Sequence, residues 1–120
     1  MKIAVTSQNF RTVTGHAGKS RRFLIYEADG VDTPTEVERL DLPKEMSLHD
    51  YHGEDHPLFE ARVDAVITGS CGDGFVRRLG RHGVRVHATS ETDPVSAAAL
   101  VAAGRSLPPA APHEHSIPLP

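Results

Sequence analysis

Few residues in this chain are equipped for chemistry, and the most telling is its single cysteine. Cys71 sits in Thr68-Gly69-Ser70-Cys71-Gly72-Asp73-Gly74, between the apolar run Val63 to Ile67 and a short amphipathic stretch. That order spells a strand, a glycine-rich turn and a helix start. Glycines let backbone close around a bound group, and the first amides of a helix are unpaired donors with partial positive charge. The turn therefore suits an anion or a thiolate. A thiol placed there is expected to ionise more easily than a free one, and a thiolate binds soft metals or attacks electrophiles. The plainer alternative is a small residue filling a tight turn. Histidines supply the other candidate ligands. His16 follows the first apolar segment, and His49, His52 and His56 recur at spacings of three and four. Those three either line one helical face as metal ligands or stand in solvent as loop histidines. His82, near a helix end, and His87, within a strand, are expected to be structural, and His113 and His115 to be passengers.

Two enzymatic readings are open to test against the same residues. Cys71 and Arg77 are separated by five residues, the spacing with which tyrosine phosphatases wrap a phosphate between a thiolate, backbone amides and a guanidinium. Against it, Arg78 stands where Ser or Thr is usual, and Asp73 places a negative charge in the cradle. A ribonuclease-type site needs several carboxylates at the sheet centre to hold two metals, and the first strand, Lys2 to Ser7, has none. A metal-responsive interaction module without catalysis is a further alternative.

At 120 residues the chain has room for one core. With aromatics at 5% and no Trp, that core must be built from Val, Leu, Ile and Ala. The net charge of −3 is unevenly spread: Glu36 to Asp64 holds nine acidic residues against three basic ones. Arg77, Arg78 and Arg81 make one small cluster, read as a solvated face, too little for nucleic-acid binding. One cysteine forms no internal disulfide, no signal-peptide pattern opens the chain, and no apolar run could span a membrane. A cytoplasmic protein is expected, without membrane or nucleic-acid partners.

The elements that must position these residues follow from apolar patterning. Lys2 to Ser7 and Phe23 to Ala28 read as strands of a hairpin with a long exposed connection, Gln8 to Ser20. Thr35 to Leu42 is a third strand, and Pro43 to Pro57 a mobile loop. Pro57 to Arg62 is a short helix opened by its proline. Val63 to Thr68 is a central fourth strand, apolar enough to be buried on both faces. Asp73 to His82 is a helix with Phe75, Val76 and Leu79 on one stripe, followed by a fifth strand, Val84 to Ala88. Asp93-Pro94 opens a last helix, with Val95, Ala98, Ala99 and Ala102 at helical spacing until Gly104. The domain is expected over residues 1–107, with a disordered Pro- and His-containing tail over 108–120. Right-handed crossovers give a mixed α/β sheet of order 3-2-1-4-5 with strand 2 antiparallel, and ligands in such sheets bind beyond the carboxyl ends of the strands. The Gln8 to Ser20 loop, the Cys71 turn and the His-rich loop should meet there.

The runs Met1-Lys2-Ile3-Ala4-Val5-Thr6-Ser7, Val13-Thr14-Gly15-His16-Ala17-Gly18-Lys19-Ser20, Phe23-Leu24-Ile25-Tyr26 and Val63-Asp64-Ala65-Val66-Ile67-Thr68-Gly69 carry a resemblance. With Leu79 and Gly83-Val84-Arg85-Val86, they make residues 1 to 105 similar to the dinitrogenase iron-molybdenum cofactor biosynthesis family, the NifX and NafY-like proteins also seen as a C-terminal domain on NifB. The resemblance implies a three-layer ribonuclease H-like fold without nuclease activity. It also implies transient carriage of an iron-sulfur or iron-molybdenum-type cluster, with cofactor-assembly or nitrogenase proteins as partners and no turnover of its own. His16 matches the family's histidine after the first strand. There the usual His-Phe-Gly-Arg is His-Ala-Gly-Lys here, which keeps a basic residue and loses the aromatic one. His49, His52 and His56 fall where family members carry histidines before the first helix. Cys71 lies in the family's glycine-rich turn, where many members have no cysteine. On this reading Cys71, His16, His49, His52 and His56 are candidate metal ligands. Ser70, Gly72, Asp73 and Gly74 surround the cluster, and Lys19 and Arg21 balance its charge. A monomer or weak homodimer is expected.

Overall fold

The computed structural model of the protein describes residues 1–110. Five strands form one sheet: β1 (Lys2–Thr6), β2 (Arg22–Glu27), β3 (Thr35–Asp41), β4 (Ala65–Thr68) and β5 (Arg85–Ala88), in the order β3-β2-β1-β4-β5. β2 is antiparallel to both neighbours, and β1, β4 and β5 are parallel. The expected topology is thus the observed one. Three α-helices, α1 (Pro57–Glu60), α2 (Asp73–Gly80) and α3 (Pro94–Ala102), and two single 3-10 turns, Ala17–Lys19 and Lys44–Met46, complete the fold among the described residues.

Strand periodicity divides the core in two. Ile3, Val5, Leu24, Tyr26, Ala65 and Ile67 face α3, meeting Ala97, Ala98 and Val101. Ala4, Phe23, Ile25 and Val66 face the other way, meeting Leu58 of α1, Leu79 of α2 and Leu48. Burying a leucine of this kind stabilises the fold by about 1.5–3 kcal/mol. The result is a three-layer sandwich with β1 and β4 covered on both faces, which is why these two strands read as apolar runs. β3 is a sheet edge exposed except at Leu40, and the register shift between Ile25 and Tyr26 leaves Val37 as a bulge among Glu36, Glu38 and Arg39. Charge and bulge together discourage further strand pairing.

Several expectations need correction. The Gln8 to Ser20 connection is not simply exposed: Val13, Ala17 and Ser20 are buried. Pro43 to Pro57 is packed down, with Ser47, Leu48 and His56 buried. On α2, Val76 faces solvent and Arg78 takes the inward position beside Leu79. On α3 the buried stripe is Pro94, Ala97, Ala98 and Val101, one position off the expected phase, because a helix apolar on every side offers no contrast to fix its rotation. Beyond residue 107, the Pro108 carbonyl accepts from Thr89 Oγ1 at 2.6 Å and the Pro109 carbonyl from the Ser90 N–H at 3.1 Å. Residues 111–120, with His113 and His115, lie outside the described residues. Among the described residues no helix is long and apolar enough to cross a membrane.

Candidate functional site at the carboxyl edge of the sheet

Parallel β1 and β4 end side by side, so the segments leaving them are forced together. Thr6 Oγ1 bonds Thr68 Oγ1 at 2.8 Å and donates to the Thr14 carbonyl at 2.6 Å, and the Gly69 N–H donates to the same carbonyl at 2.9 Å. A Cβ on Gly69 would lie 3.3 Å from the Gly15 backbone, and one on Gly15 would lie 2.7 Å from Ser70 Oγ. The two loops pass so closely that glycine is needed at the crossing. Beyond it, the His16 N–H donates to Ser70 Oγ at 2.8 Å and the Ala17 N–H to the Ser70 carbonyl at 3.0 Å. His16 is exposed and held at φ +55°, a left-handed conformation that costs a non-glycine residue about 1 kcal/mol.

The His-rich connection docks onto this pair. The His49 N–H donates to the Gly18 carbonyl at 2.6 Å. From α2, Arg78 reaches across and donates to the carbonyls of Leu48, at 2.5 Å, and Tyr51, at 2.7 Å, with its guanidinium 5.7 Å from the Phe59 ring centre. One side chain thereby holds the segment that carries His49 and His52 against α2. Two hollows result, sharing His49 as a wall. One, of about 410 Å³, is lined by His49, His52, Gly72, Gly74, Arg78 and Arg81. The other, of about 490 Å³, is lined by Lys19, Arg21, Lys44, Ser47 and His49, with Asp50 as its carboxylate. Gly72, Asp73 and Gly74 are exposed and a Cβ on either glycine would meet nothing within 4 Å, so the first turn of α2, whose amides have no partner within the helix, lies at the open surface.

The three loaded segments therefore do meet. His16, Lys19, Arg21, His49, His52, Gly72 and Gly74 share one edge, and Cys71 lies beside them between Ser70 and Gly72. Other expectations fail here. Burial, and after it the charge of Asp73, pushes the Cys71 thiol pKa above its ordinary value, against the expectation of an easily ionised thiol. His56 is committed elsewhere. Its ring is buried, Nδ1 accepts from the Leu58 N–H at 3.0 Å, and Nε2 therefore carries the proton and donates to the Met46 carbonyl at 2.6 Å. Both nitrogens are used in capping α1 and pinning the loop, and none is left for a metal. Ser70 Oγ is likewise engaged in joining the loops. His82 stacks on Phe59, with ring centres 3.8 Å apart and planes within 10°, and its Nε2 lies 3.3 Å from Glu54. The phosphatase reading finds no support in the geometry: Arg77 is exposed, it is Arg78 that turns inward, and burial and Asp73 push the thiol pKa up rather than down.

The expected solvated face holds for Arg77 and Arg81, which are exposed, but not for Arg78, which turns inward, and Arg81 also lines the hollow. The signal for Arg78 and Arg81 was present, since Gly74, Arg78 and Arg81 fall at helical spacing on one side of α2. Among the described residues, no three His, Cys, Asp or Glu side chains gather into a metal-holding group. The edge offers scattered soft donors, open amides and a surplus of cationic groups. Such a set fits a large anionic guest better than a bare cation.

Residues 1–104 match the family model described as dinitrogenase iron-molybdenum cofactor. Among solved structures, the crystal structure of PH0822 is similar to this chain with a TM-score of 0.65 and 20% identity, over 88% of this chain and 93% of that one. At that identity the likeness concerns the fold. No curated protein matches the chain at significance.

Proposed function

Since this chain belongs to the dinitrogenase iron-molybdenum cofactor family, we propose that it binds and transiently carries an iron-sulfur or iron-molybdenum-type cluster during cofactor assembly. Such a cluster is anionic, soft and bulky, and needs a few thiolate or imidazole ligands plus donors facing its sulfides. His49 and His52 stand in the wall of the 410 Å³ hollow, with His16 and Cys71 on the adjoining loops. The amides of Gly72 to Gly74 face the sulfides, and Lys19, Arg21, Arg78 and Arg81 offset the charge. Cys71 binds only by losing its proton, so metal coordination must supply the free energy that burial withholds. A set this sparse holds its guest weakly. Weak holding suits delivery to cytoplasmic assembly or nitrogenase proteins by a monomer or weak homodimer with no turnover of its own.

The observation that carries this reading is the meeting of three loops, tied by the bonds Ala17 N–H to Ser70 and His49 N–H to Gly18, around an open helix start. The test is anaerobic loading of wild type, Cys71→Ser, His16→Ala and the double variant His49→Ala/His52→Ala, read by absorbance and metal content. Reduced uptake in the variants is expected. Equal uptake by all four overturns the proposed ligands.

A further inference from the structure

Away from the candidate site a cavity of about 370 Å³ lies along β5, between that strand, the end of α3 and the segment 104–107. We propose that it is a second binding site, taking a small phosphate-type oxyanion that carries a short apolar body. The proposal does not depend on cluster carriage. Ala65 of β4 and Arg85, His87 and Ala88 of β5 line it, so it runs along the edge strand under the segment beyond α3 and shares no lining residue with the candidate site.

Arg85 enters from the strand and Arg105 from the segment beyond α3, and no Asp or Glu is among the lining residues. Among the described residues neither guanidinium pairs with a carboxylate. His87, two positions from Arg85 on the same strand face, adds an imidazole, and Ser106 a hydroxyl. Burial, followed by the charge of Arg85, lowers the His87 pKa and favours the neutral ring. Two guanidiniums lining one cavity without a carboxylate among its walls leave their donors open to a dianion, which can accept from both. A phosphate head offers three acceptor oxygens to these donors where a carboxylate offers two. Val101 and Leu107 supply the apolar floor for a short body.

The wall is built rather than loose. The Arg105 N–H donates to the Leu100 carbonyl at 2.9 Å, and farther along the same segment Thr89 and Ser90 hold Pro108 and Pro109. Leu107 packs against the core between those anchors.

The test follows the His87 imidazole by NMR, its signals assigned by their loss in His87→Gln, during titration with inorganic phosphate, glycerol phosphate and acetate. Saturable binding of phosphate with a rise in the His87 pKa is expected, glycerol phosphate binding more tightly and acetate more weakly. Arg85→Gln and Arg105→Gln, both at exposed positions, should each weaken phosphate binding about tenfold, the loss of one charge-assisted contact. A response that does not saturate, acetate matching phosphate, or unchanged affinity in the double variant overturns the proposal. None of these outcomes bears on metal uptake at the candidate site, which shares no lining residue with this cavity.

Discussion

The backbone N–H of His16 donates to Ser70 Oγ at 2.8 Å, across 54 positions of sequence. This bond places an exposed imidazole in strained backbone next to the residue preceding the only cysteine. It exists because Gly15 and Gly69 let two loops cross without a side chain between them.

The crossing predicts a contrast among glycines. Gly69→Ala brings a Cβ to 3.3 Å from the Gly15 backbone and should destabilise by about 1–3 kcal/mol. Gly74→Ala, inside α2, meets nothing within 4 Å and should leave stability unchanged or raise it by up to about 1 kcal/mol. Urea unfolding of the two variants checks this, and similar midpoints would refute the tight crossing.

Arg78 and Arg77 should differ as sharply, although they are neighbours. Arg78→Ala removes the bonds to Leu48 and Tyr51 and should lower stability by about 2–3 kcal/mol, with faster amide exchange over residues 47–52. Arg77→Ala, on the exposed face, should shift stability by less than about 0.5 kcal/mol. Loss of metal uptake in Arg78→Lys at preserved stability would show that the fork geometry positions the histidines, since lysine keeps the charge but not the paired donors.

The thiol of Cys71 should be sluggish. With burial and Asp73 raising its pKa, alkylation by iodoacetamide at neutral pH should run slower than for a free cysteine. Asp73→Asn should speed it by removing the repelling charge. A rate at neutral pH above that of free cysteine would restore the reactive-thiol reading.

Acid should loosen the His-rich connection. Burial, aided by the charge of Arg78 and opposed by the bond to the Met46 carbonyl, lowers the His56 pKa below its value in the unfolded chain. The unfolded state then takes up its proton first as pH falls below about 6.5, so the stability from a neutral His56 is complete above that pH and declines beneath it. It levels off once pH passes the lower folded-state value. His87 is shifted the same way, so the comparison needs both His56→Gln and His87→Gln. Unfolding measured near pH 7.5 and near pH 5.5 should show a smaller acid loss in His56→Gln than in wild type. An identical slope would place the proton elsewhere.

Much of the fold was legible because its signals are local. Continuous apolar runs marked β1 and β4 as central strands, and Pro57 and Asp93-Pro94 marked helix starts. Asp93 Oδ2 does accept from the Ser96 N–H, at 2.9 Å, and from its hydroxyl, at 2.6 Å. Phase and direction were not legible where a helix lacks contrast. Ala97, Ala98 and Ala99 are equally apolar, and only packing against β1 and β4 decides which pair is buried. At the site, sequence spacing put His56 in one set with His49 and His52, yet burial turned it into a helix cap.

Composition and chain order by themselves determined the sheet order and the gathering of the three loaded loops at one edge, because crossover handedness and apolar burial leave few alternatives. Tertiary structure alone decided which side chains at that edge are free. Whether Cys71 is acidic, whether His56 has a nitrogen to spare and whether Arg77 or Arg78 faces the loop depend on desolvation and on hydrogen bonds between residues distant in sequence. Those energies belong to the packed molecule and have no counterpart in residue spacing.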